Sequence, residues 1–136
     1  MRVAVVSVPH RRMEVPEYVK ALVKGVESMG HRVEIIDAWT QDGFRLPSFE
    51  YVIVCAEAIK GWGGKMPLSL PKVLTSGPGL VGKRGAAFIK KTGPLFTQRS
   101  LANLMKAMEK EGMRINWSDI LLNTAQAEAM GKRITP

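Results

Sequence analysis

The segment EYVIVCA at residues 50–56 decides the fold class. An unbroken apolar run of this length, rich in β-branched residues, is typical of a parallel strand that is buried on both faces. Two further runs have the same character, VAVVSV at residues 3–8 and GAAFI at residues 85–89. The sequence therefore predicts an α/β protein with a parallel central sheet.

Cations follow each of these three runs at once. They are His10, Arg11 and Arg12 after the first run, Lys60 and Lys65 after the second, and Lys90 and Lys91 after the third. In an open α/β sheet, ligands bind in the crevice outside the carboxyl ends of the strands. Three basic loops that meet there predict an anion-binding site.

The rest of the chain alternates helical and strand patterns. Apolar residues recur at intervals of three and four from residue 16 to 29, which predicts a first helix that ends at Gly30. Further strands are predicted at 32–36 and 113–122, the latter interrupted near 117–119. Further helices are predicted at 68–74, from Thr97 or Ser100 to 111, and at 125–134. Five strands that alternate with helices imply a doubly wound sheet, and we expect one domain over residues 1–136.

Composition narrows the class of protein. The 136 residues are 46% hydrophobic and 24% charged, as in an ordinary globular domain. The formal net charge of +8 favours anionic ligands or acidic partners, although a solvated lysine surface is the commoner reason for such a charge. The chain has no recognised nucleic-acid motif, so nucleic-acid binding is not expected.

The compartment is predicted from the cysteine content and the apolar runs. Cys55, the single cysteine, is expected to fill the core, which suits a reducing compartment. No apolar stretch approaches the ~20 residues needed to cross a bilayer, and the amino terminus shows no secretory signal pattern. We therefore expect a cytoplasmic protein with no membrane association.

Several catalytic patterns are missing. The chain has neither a Gly-x-Gly-x-x-Gly fingerprint nor a Walker-type Gly-Lys-Ser/Thr motif, and its acidic residues and histidines cluster neither as a catalytic pair nor as a metal site. In the first basic loop, His10, Arg11 and Arg12 are candidate anion ligands because guanidinium forks suit phosphate. The alternative is a solvated basic loop.

The second and third basic loops carry candidates for a planar ligand. Trp62 lies among glycines that let the backbone approach a ligand, so it is a candidate to stack on a ring. The alternative is that this tryptophan folds back over the sheet edge. The third loop offers Thr92, Gly93 and the apolar pair Leu95 and Phe96.

Several strings resemble the flavodoxin-like family over nearly the whole chain. Residues 1–7 resemble its first strand, and residues 18–33 its first helix with a glycine-terminated turn. FEYVIVCAEA at 49–58 is similar to its third strand, and GWGGKMP at 61–67 to its aromatic loop over the flavin. LVGKRGAAFI at 80–89 resembles the lead-in to strand four, and AMGKRI at 129–134 the last helix.

The resemblance implies a three-layer sandwich with the sheet order 2-1-3-4-5, and FMN held by three loops at the carboxyl edge. By position, the first loop would take the phosphate and the other two would flank the ring. The implied cofactor-binding residues are Ser7, His10, Arg11, Arg12, Lys60, Trp62, Gly63, Thr92, Gly93, Leu95 and Phe96. The family's Thr-, Ser- and Gly-rich phosphate loop is here VPHRRMEVP, whose prolines remove two amide donors. Arg11 and Arg12 would then replace the lost donors.

The resemblance predicts an FMN-binding electron-transfer protein, with an acidic redox protein as its partner. The flavin would supply the redox chemistry, which agrees with the lack of catalytic side chains. Two alternatives stay open. One is a cofactor-free module that uses its basic edge for an anion or an acidic partner, and the other is an FMN-dependent NAD(P)H reductase. Homo-oligomerisation is open in every case.

Overall fold

The computed structural model describes residues 1–59, 63–75, 79–91 and 95–134. The strands in these residues are β1 (Arg2–Val8), β2 (Arg32–Asp37), β3 (Tyr51–Ala56), β4 (Arg84–Lys90) and β5 (Arg114–Leu121). The α-helices are α1 (Glu17–Ser28), α2 (Ser69–Thr75), α3 (Thr97–Lys110) and α4 (Thr124–Lys132), and a 3-10 turn spans Leu46–Ser48.

The five strands form one parallel sheet in the order β2-β1-β3-β4-β5, which confirms the predicted order. Lys90 ends β4 beside Leu121 of β5, and Val8 ends β1 beside Ala56 of β3. The loops that follow β1, β3 and β4 therefore leave from the same edge of the sheet. This is the arrangement that an anion site formed by the three basic loops needs.

Side chains of each central strand alternate between two cores, one on each face of the sheet. Val3 and Val5 pack with Leu22 of α1 and Ala127 of α4. On the other face, Ala4, Val6 and Val8 pack with residues of α2 and α3. Six positions predicted to be buried are at most 1% exposed, namely Val3, Val5, Val52, Val54, Ala87 and Ile89. The helices thus cover both faces of the sheet, and the three-layer sandwich is confirmed.

Two glycines bring α1 and α4 into backbone contact. A Cβ atom at Gly131 would lie 2.2 Å from the Leu22 carbonyl oxygen, and one at Gly25 would lie 2.1 Å from the Glu128 carbonyl oxygen. A side chain at either position would push the helices apart. The position of α4, and of the residues at its end, therefore depends on this contact.

Two local predictions are wrong. Strand β5 continues through residues 117–119, and its irregularity is a β-bulge at Asn116, because Gly85 pairs with Ile115 and Ala86 pairs with Trp117. Helix α3 has no Thr97 or Ser100 cap. Its N-cap is Phe96, with a left-handed backbone (φ 67°), and Ser100 lies in the first turn, where its hydroxyl donates to the Phe96 carbonyl oxygen.

Candidate functional site

The candidate site is the carboxyl edge of the sheet, where the loops after β1, β3 and β4 begin. The loops after β1 and β3 are hydrogen-bonded where they begin, because the amide of Glu57 donates to the carbonyl oxygen of Val8 over 2.9 Å. This bond continues the pairing of β1 with β3 by one step and turns the Glu57 side chain towards the first loop.

Glu57 closes the first loop with its carboxylate. The Oε1 atom of Glu57 accepts the His10 backbone N–H at 2.9 Å and lies 2.8 Å from the Nδ1 atom of the His10 ring. Glu57 is only 8% exposed. The first of the three predicted cations is therefore held by a buried anion of the same chain, and one amide of the predicted phosphate loop already has its acceptor.

The start of α1 adds a second acidic group and a buried phenol. Pro16 is the N-cap and makes no side-chain cap bond, and Glu17 lies in the first turn, where its charge suits the helix dipole. The Tyr18 hydroxyl is buried and has no hydrogen-bond partner in the described residues. Burial raises the pKa of the Tyr18 phenol, and the nearby Glu57 carboxylate raises that pKa further.

Arg11 and Arg12 are the free cations of the first loop. Both are exposed, and neither makes an ion pair with another described residue. Ser7 is different, since it lies within β1 and is 1% exposed. The structure thus leaves the two arginines available to an anion and places the serine inside the sheet.

The loop after β3 packs against the first turns of α3, the helix that follows the loop after β4. The Nδ2 atom of Asn103 donates to the Gly64 carbonyl oxygen at 3.0 Å. A Cβ atom at Gly64, whose φ is +90°, would lie 3.1 Å from the amide of Ser100. The loop after β3 therefore lies beside the helix into which the loop after β4 leads. Of the residues predicted there, Lys60, Trp62, Thr92 and Gly93 lie outside the described residues.

Exposed apolar side chains border the same edge. Leu95 is 69% exposed and Phe96 is 50% exposed, and the Arg99 guanidinium lies 5.5 Å from the centroid of the Phe96 ring. An open cavity of about 480 Å³ lies beside them, between the ends of β4 and β5, and Leu122 also lines it. Its volume is in the range of small-molecule sites.

The remaining predicted cations divide into engaged and exposed groups. The Nζ atom of Lys90 donates to the Leu122 carbonyl oxygen at 3.1 Å and lies 5.9 Å from the centroid of the Tyr18 ring. Lys91 and Lys65 are exposed. Among the described residues, the predicted cations that extend into solvent from these loops are therefore Arg11, Arg12, Lys65 and Lys91.

Sequence reasoning missed the role of Glu57. The only signal was a carboxylate directly after a buried strand, and its spacing to His10 along the chain indicates nothing. Cys55 is buried as predicted, and burial raises the pKa of its thiol. The described residues contain no group of three metal-ligating side chains, and none of their helices is long and apolar enough to cross a membrane.

The first loop does not fit an FMN phosphate held by loop amides. Pro9 and Pro16 carry no N–H, the His10 amide donates to Glu57, and the buried carboxylate would repel a phosphate dianion at short range. The ring side fits better, because the loop after β3 packs against α3, whose N-cap residue Phe96 is exposed. A phosphate at this edge would have to lie outside the loop, on Arg11 and Arg12.

Comparisons with known proteins bear on the fold. No protein-family model matches the chain, and no curated protein matches it in sequence. Among solved structures, a flavodoxin from Streptococcus pneumonia TIGR4 superposes with a TM-score of 0.74 and 12% identity, covering 97% of this chain and 96% of that one. A flavodoxin from the domain Archaea gives a TM-score of 0.70 and 19% identity, covering 98% and 92%.

Two further matches were solved in different redox states. Oxidised Flavodoxin 1 from Bacillus cereus gives a TM-score of 0.72 at 13% identity, covering 96% of this chain and 95% of that one. Two-electron reduced flavodoxin from Megasphaera elsdenii gives 0.70 at 13% identity, with 96% of each chain covered. With the sheet order β2-β1-β3-β4-β5 and helices on both faces, the chain has the flavodoxin fold.

Proposed function

We propose that the protein binds FMN at the carboxyl edge of the sheet and transfers electrons. The observation that carries this proposal is the contact of the loop after β3 with α3, where Asn103 donates to the Gly64 carbonyl oxygen and the N-cap residue Phe96 is exposed. A loop packed against the start of a helix that presents an exposed aromatic side chain suits a flat ring. Flavodoxins in oxidised and two-electron reduced states share the fold, which supports a redox role.

Bound FMN would supply the redox chemistry, and the chain would bind and orient it. In this proposal the ring lies between Trp62 and the Leu95–Phe96 pair, and the phosphate lies outside the first loop on Arg11 and Arg12. This arrangement keeps the dianion at the solvent-exposed side of the edge. The buried Glu57 carboxylate stays with His10.

The proposed partner is an acidic redox protein. Lys91 and Arg99 are exposed and line one cavity with the apolar side chains of Phe96 and Leu122, where Asp119 is the single carboxylate among the described lining residues. A basic rim around an apolar patch suits a partner with carboxylates around its own apolar contact, because complementary charge steers encounter. A cytoplasmic location also belongs to this proposal and depends on the single, buried cysteine.

The test is titration of the protein with FMN and with riboflavin, followed by flavin fluorescence. Binding should quench the fluorescence, and Trp62→Ala should weaken affinity for both ligands about tenfold, since a stacking contact of this size is worth ~1.4 kcal/mol. The double variant Arg11→Gln/Arg12→Gln should weaken FMN only. The control, Lys72→Gln/Lys106→Gln, removes the same charge from exposed helix positions and should change neither affinity.

A second candidate is the cofactor-free binding module, and one observation favours it. The His10 amide and ring are already bound to Glu57, so the first loop is complete without a phosphate. In that case neither flavin is quenched at high micromolar concentration, while an acidic protein still binds the basic rim. Absence of quenching would therefore replace the flavin proposal with this one.

A further inference from the structure

The opposite edge of the sheet, where the strands begin, carries a row of arginines. Four of the five strands start with this residue, namely Arg2, Arg32, Arg84 and Arg114. Arg84 is directly opposite Arg114 in the register of β4 and β5. Registered residues of a parallel pair share a face and lie about 4.8 Å apart at the backbone. Both side chains are exposed.

The β-bulge in β5 brings an indole and an amide to the same face. Arg114 pairs with Arg84 before the bulge, and Trp117 pairs with Ala86 after it, so Asn116 is the extra residue. Without the extra residue, positions 114 and 117 would lie on opposite faces. Bulges re-aim side chains in this way and are frequent next to binding sites.

Tyr51 fixes the orientation of the Asn116 amide. The Tyr51 hydroxyl donates to the Oδ1 atom of Asn116. The Nδ2 group of that amide is therefore the end that can donate to a ligand. Burial raises the pKa of Tyr51 to about 12, and the positive charge of Arg84 and the hydrogen bond with Asn116 oppose the rise.

A third arginine comes from the end of α4. The Arg133 guanidinium lies 5.0 Å from the centroid of the Trp117 ring, and Trp117 meets Phe88 edge-on at 5.6 Å. The close contact of Gly131 with the Leu22 carbonyl oxygen holds this end of α4 against α1. Arg133 is thereby placed on the same face as Arg84 and Arg114.

A small pocket lies on this face of the sheet. Its volume is about 250 Å³, and it is lined by Tyr51, Asn116, Trp117 and Arg133. With a share of ~30 Å³ for each liquid water, this is the space of roughly eight waters. The pocket is too small for a dinucleotide but large enough for an oxyanion with a small organic group.

The charges at the pocket are all of one sign. Among the described residues, none of the carboxylates lines the pocket or pairs with Arg84, Arg114 or Arg133. The polar groups that remain free there are donors. A ligand that fits must accept hydrogen bonds and carry negative charge, and guanidinium forks bind phosphate bidentately.

We propose that this amino-edge pocket, lined by Tyr51, Asn116, Trp117 and Arg133, binds a phosphate dianion, either free or as a small monoester, together with the registered pair Arg84 and Arg114 on the same face of the sheet. It lies at the opposite end of the strands from the proposed flavin site, so it is independent of that proposal. Three monocations and an amide donor satisfy most of the acceptor positions of one phosphate group.

The test uses the full chain and inorganic phosphate as the probe, at constant ionic strength set with chloride. The indole N–H signal of Trp117 and the side-chain amide signal of Asn116 should shift and saturate in a nuclear magnetic resonance titration. Phenyl phosphate is the second probe. Tighter binding than phosphate identifies a monoester as the ligand, and equal binding identifies free phosphate.

The variant Arg84→Gln/Arg114→Gln should weaken phosphate affinity about tenfold or more, because each lost charged hydrogen bond has a large effect. Its control is Arg2→Gln/Arg32→Gln, a registered pair at the same edge that removes the same charge from the other face. The control variant should bind phosphate within about twofold of the affinity of the unmodified protein. Thermal unfolding checks that both variants are folded.

Two outcomes would overturn the proposal. If the signals do not saturate by about 10 mM phosphate, the affinity is lower than a specific site with three arginines should have. The pocket then does not bind the dianion. If the control pair loses as much affinity as the Arg84–Arg114 pair, the binding reflects net charge alone. Arg133→Lys separates charge from geometry, and we expect it to weaken binding because an ammonium group has no fork.

Discussion

The two edges of the sheet carry cations in opposite states. At the carboxyl edge, His10 is bound to the buried Glu57 carboxylate and Lys90 donates to a backbone carbonyl oxygen. At the amino edge, Arg84 and Arg114 stand side by side with no carboxylate partner in the described residues. The edge that the fold makes the default ligand site therefore has its first cation neutralised.

This contrast changes how a net charge of +8 should be interpreted. The total charge of a chain does not show where anions bind, because the field of an ion-paired cation is cancelled at short range by its partner, and only the unpaired cations attract an anion. Variants at each edge, and at the centre of the sheet that joins them, test whether the two edges differ in this way.

The largest effect is expected from a change that destroys both edges together. Val54 is fully buried in β3, at the centre of the sheet. Val54→Asp should unfold the protein, because an unpaired buried charge costs several kcal/mol against a total stability of ~5–15 kcal/mol. The control Val81→Asp changes a residue that is 82% exposed and should leave thermal unfolding unchanged. A folded Val54→Asp protein would contradict the described sheet.

A change at the α1–α4 contact should affect the amino edge more than the carboxyl edge. In Gly131→Ala the new Cβ atom would lie 2.2 Å from the Leu22 carbonyl oxygen. Helix propensity alone favours alanine by ~1 kcal/mol. The clash involves backbone that cannot rotate away, so we expect a net loss of ~1–3 kcal/mol in urea unfolding.

This variant should also weaken phosphate binding at the amino edge, because Arg133 follows Gly131 at the end of α4. Flavin affinity at the other edge should not change. Ala129→Ser, at an exposed position of the same helix, is the control and should alter neither stability nor binding. Equal losses at both edges would show that the edges are not independent.

Much of the fold could be predicted from the sequence because its signals are local. Apolar β-branched runs gave the strands, three- and four-residue spacing gave α1, and Gly30 with a positive φ of 87° ended it. The bulge at Asn116 and the left-handed Phe96 were missed. Both depend on how a strand or loop meets its neighbours, which residue spacing does not report.

The candidate site was harder to predict for the same reason. The sequence correctly placed basic loops at one edge, but Glu57 lies 47 positions from His10 and nothing local connects them. Likewise, the arginines that start β4 and β5 become a pair only through the register of those strands. The single-domain organisation and the roles of Trp62 and Thr92 stay predictions.

Replacing Glu57 should make the carboxyl edge resemble the amino edge, where the cations have no carboxylate partner among the described residues. Glu57→Gln removes the negative charge and keeps an oxygen that can accept the His10 amide. If FMN binds as proposed, its affinity should rise about tenfold, since the phosphate no longer faces a carboxylate. Riboflavin affinity should not change.

The control for this prediction is Glu14→Gln, which removes the same charge from an exposed position of the first loop. It should raise FMN affinity much less, because exposed charges are screened. A rise of equal size in both variants would mean that the buried position of Glu57 has no special effect. A fall in FMN affinity would show that Glu57 helps to hold the ligand.

The smallest effect is on two phenols, one near each edge. Burial raises the pKa of both, but the neighbouring charge differs: Glu57 adds to the rise at Tyr18, and Arg84 opposes it at Tyr51, which reaches about 12. The unfolded value is ~10. Glu57→Gln should therefore lower the pKa of Tyr18, and Arg84→Gln should raise the pKa of Tyr51, as followed by phenolate absorbance.

The same shifts make the folded state less stable in alkali. Because the folded protein keeps a proton that the unfolded chain loses above its pKa, the contribution of Tyr51 is complete below about pH 10 and is lost as pH rises towards about 12. The loss of stability begins at the pKa of the unfolded chain and ends at the pKa of the folded protein. In urea unfolding, Arg84→Gln should therefore make the loss linked to Tyr51 end at a higher pH, and Glu57→Gln should make the loss linked to Tyr18 end at a lower pH. If neither variant moved the profile, the phenols would be responding to burial alone. The opposite electrostatics of the two edges would then be wrong.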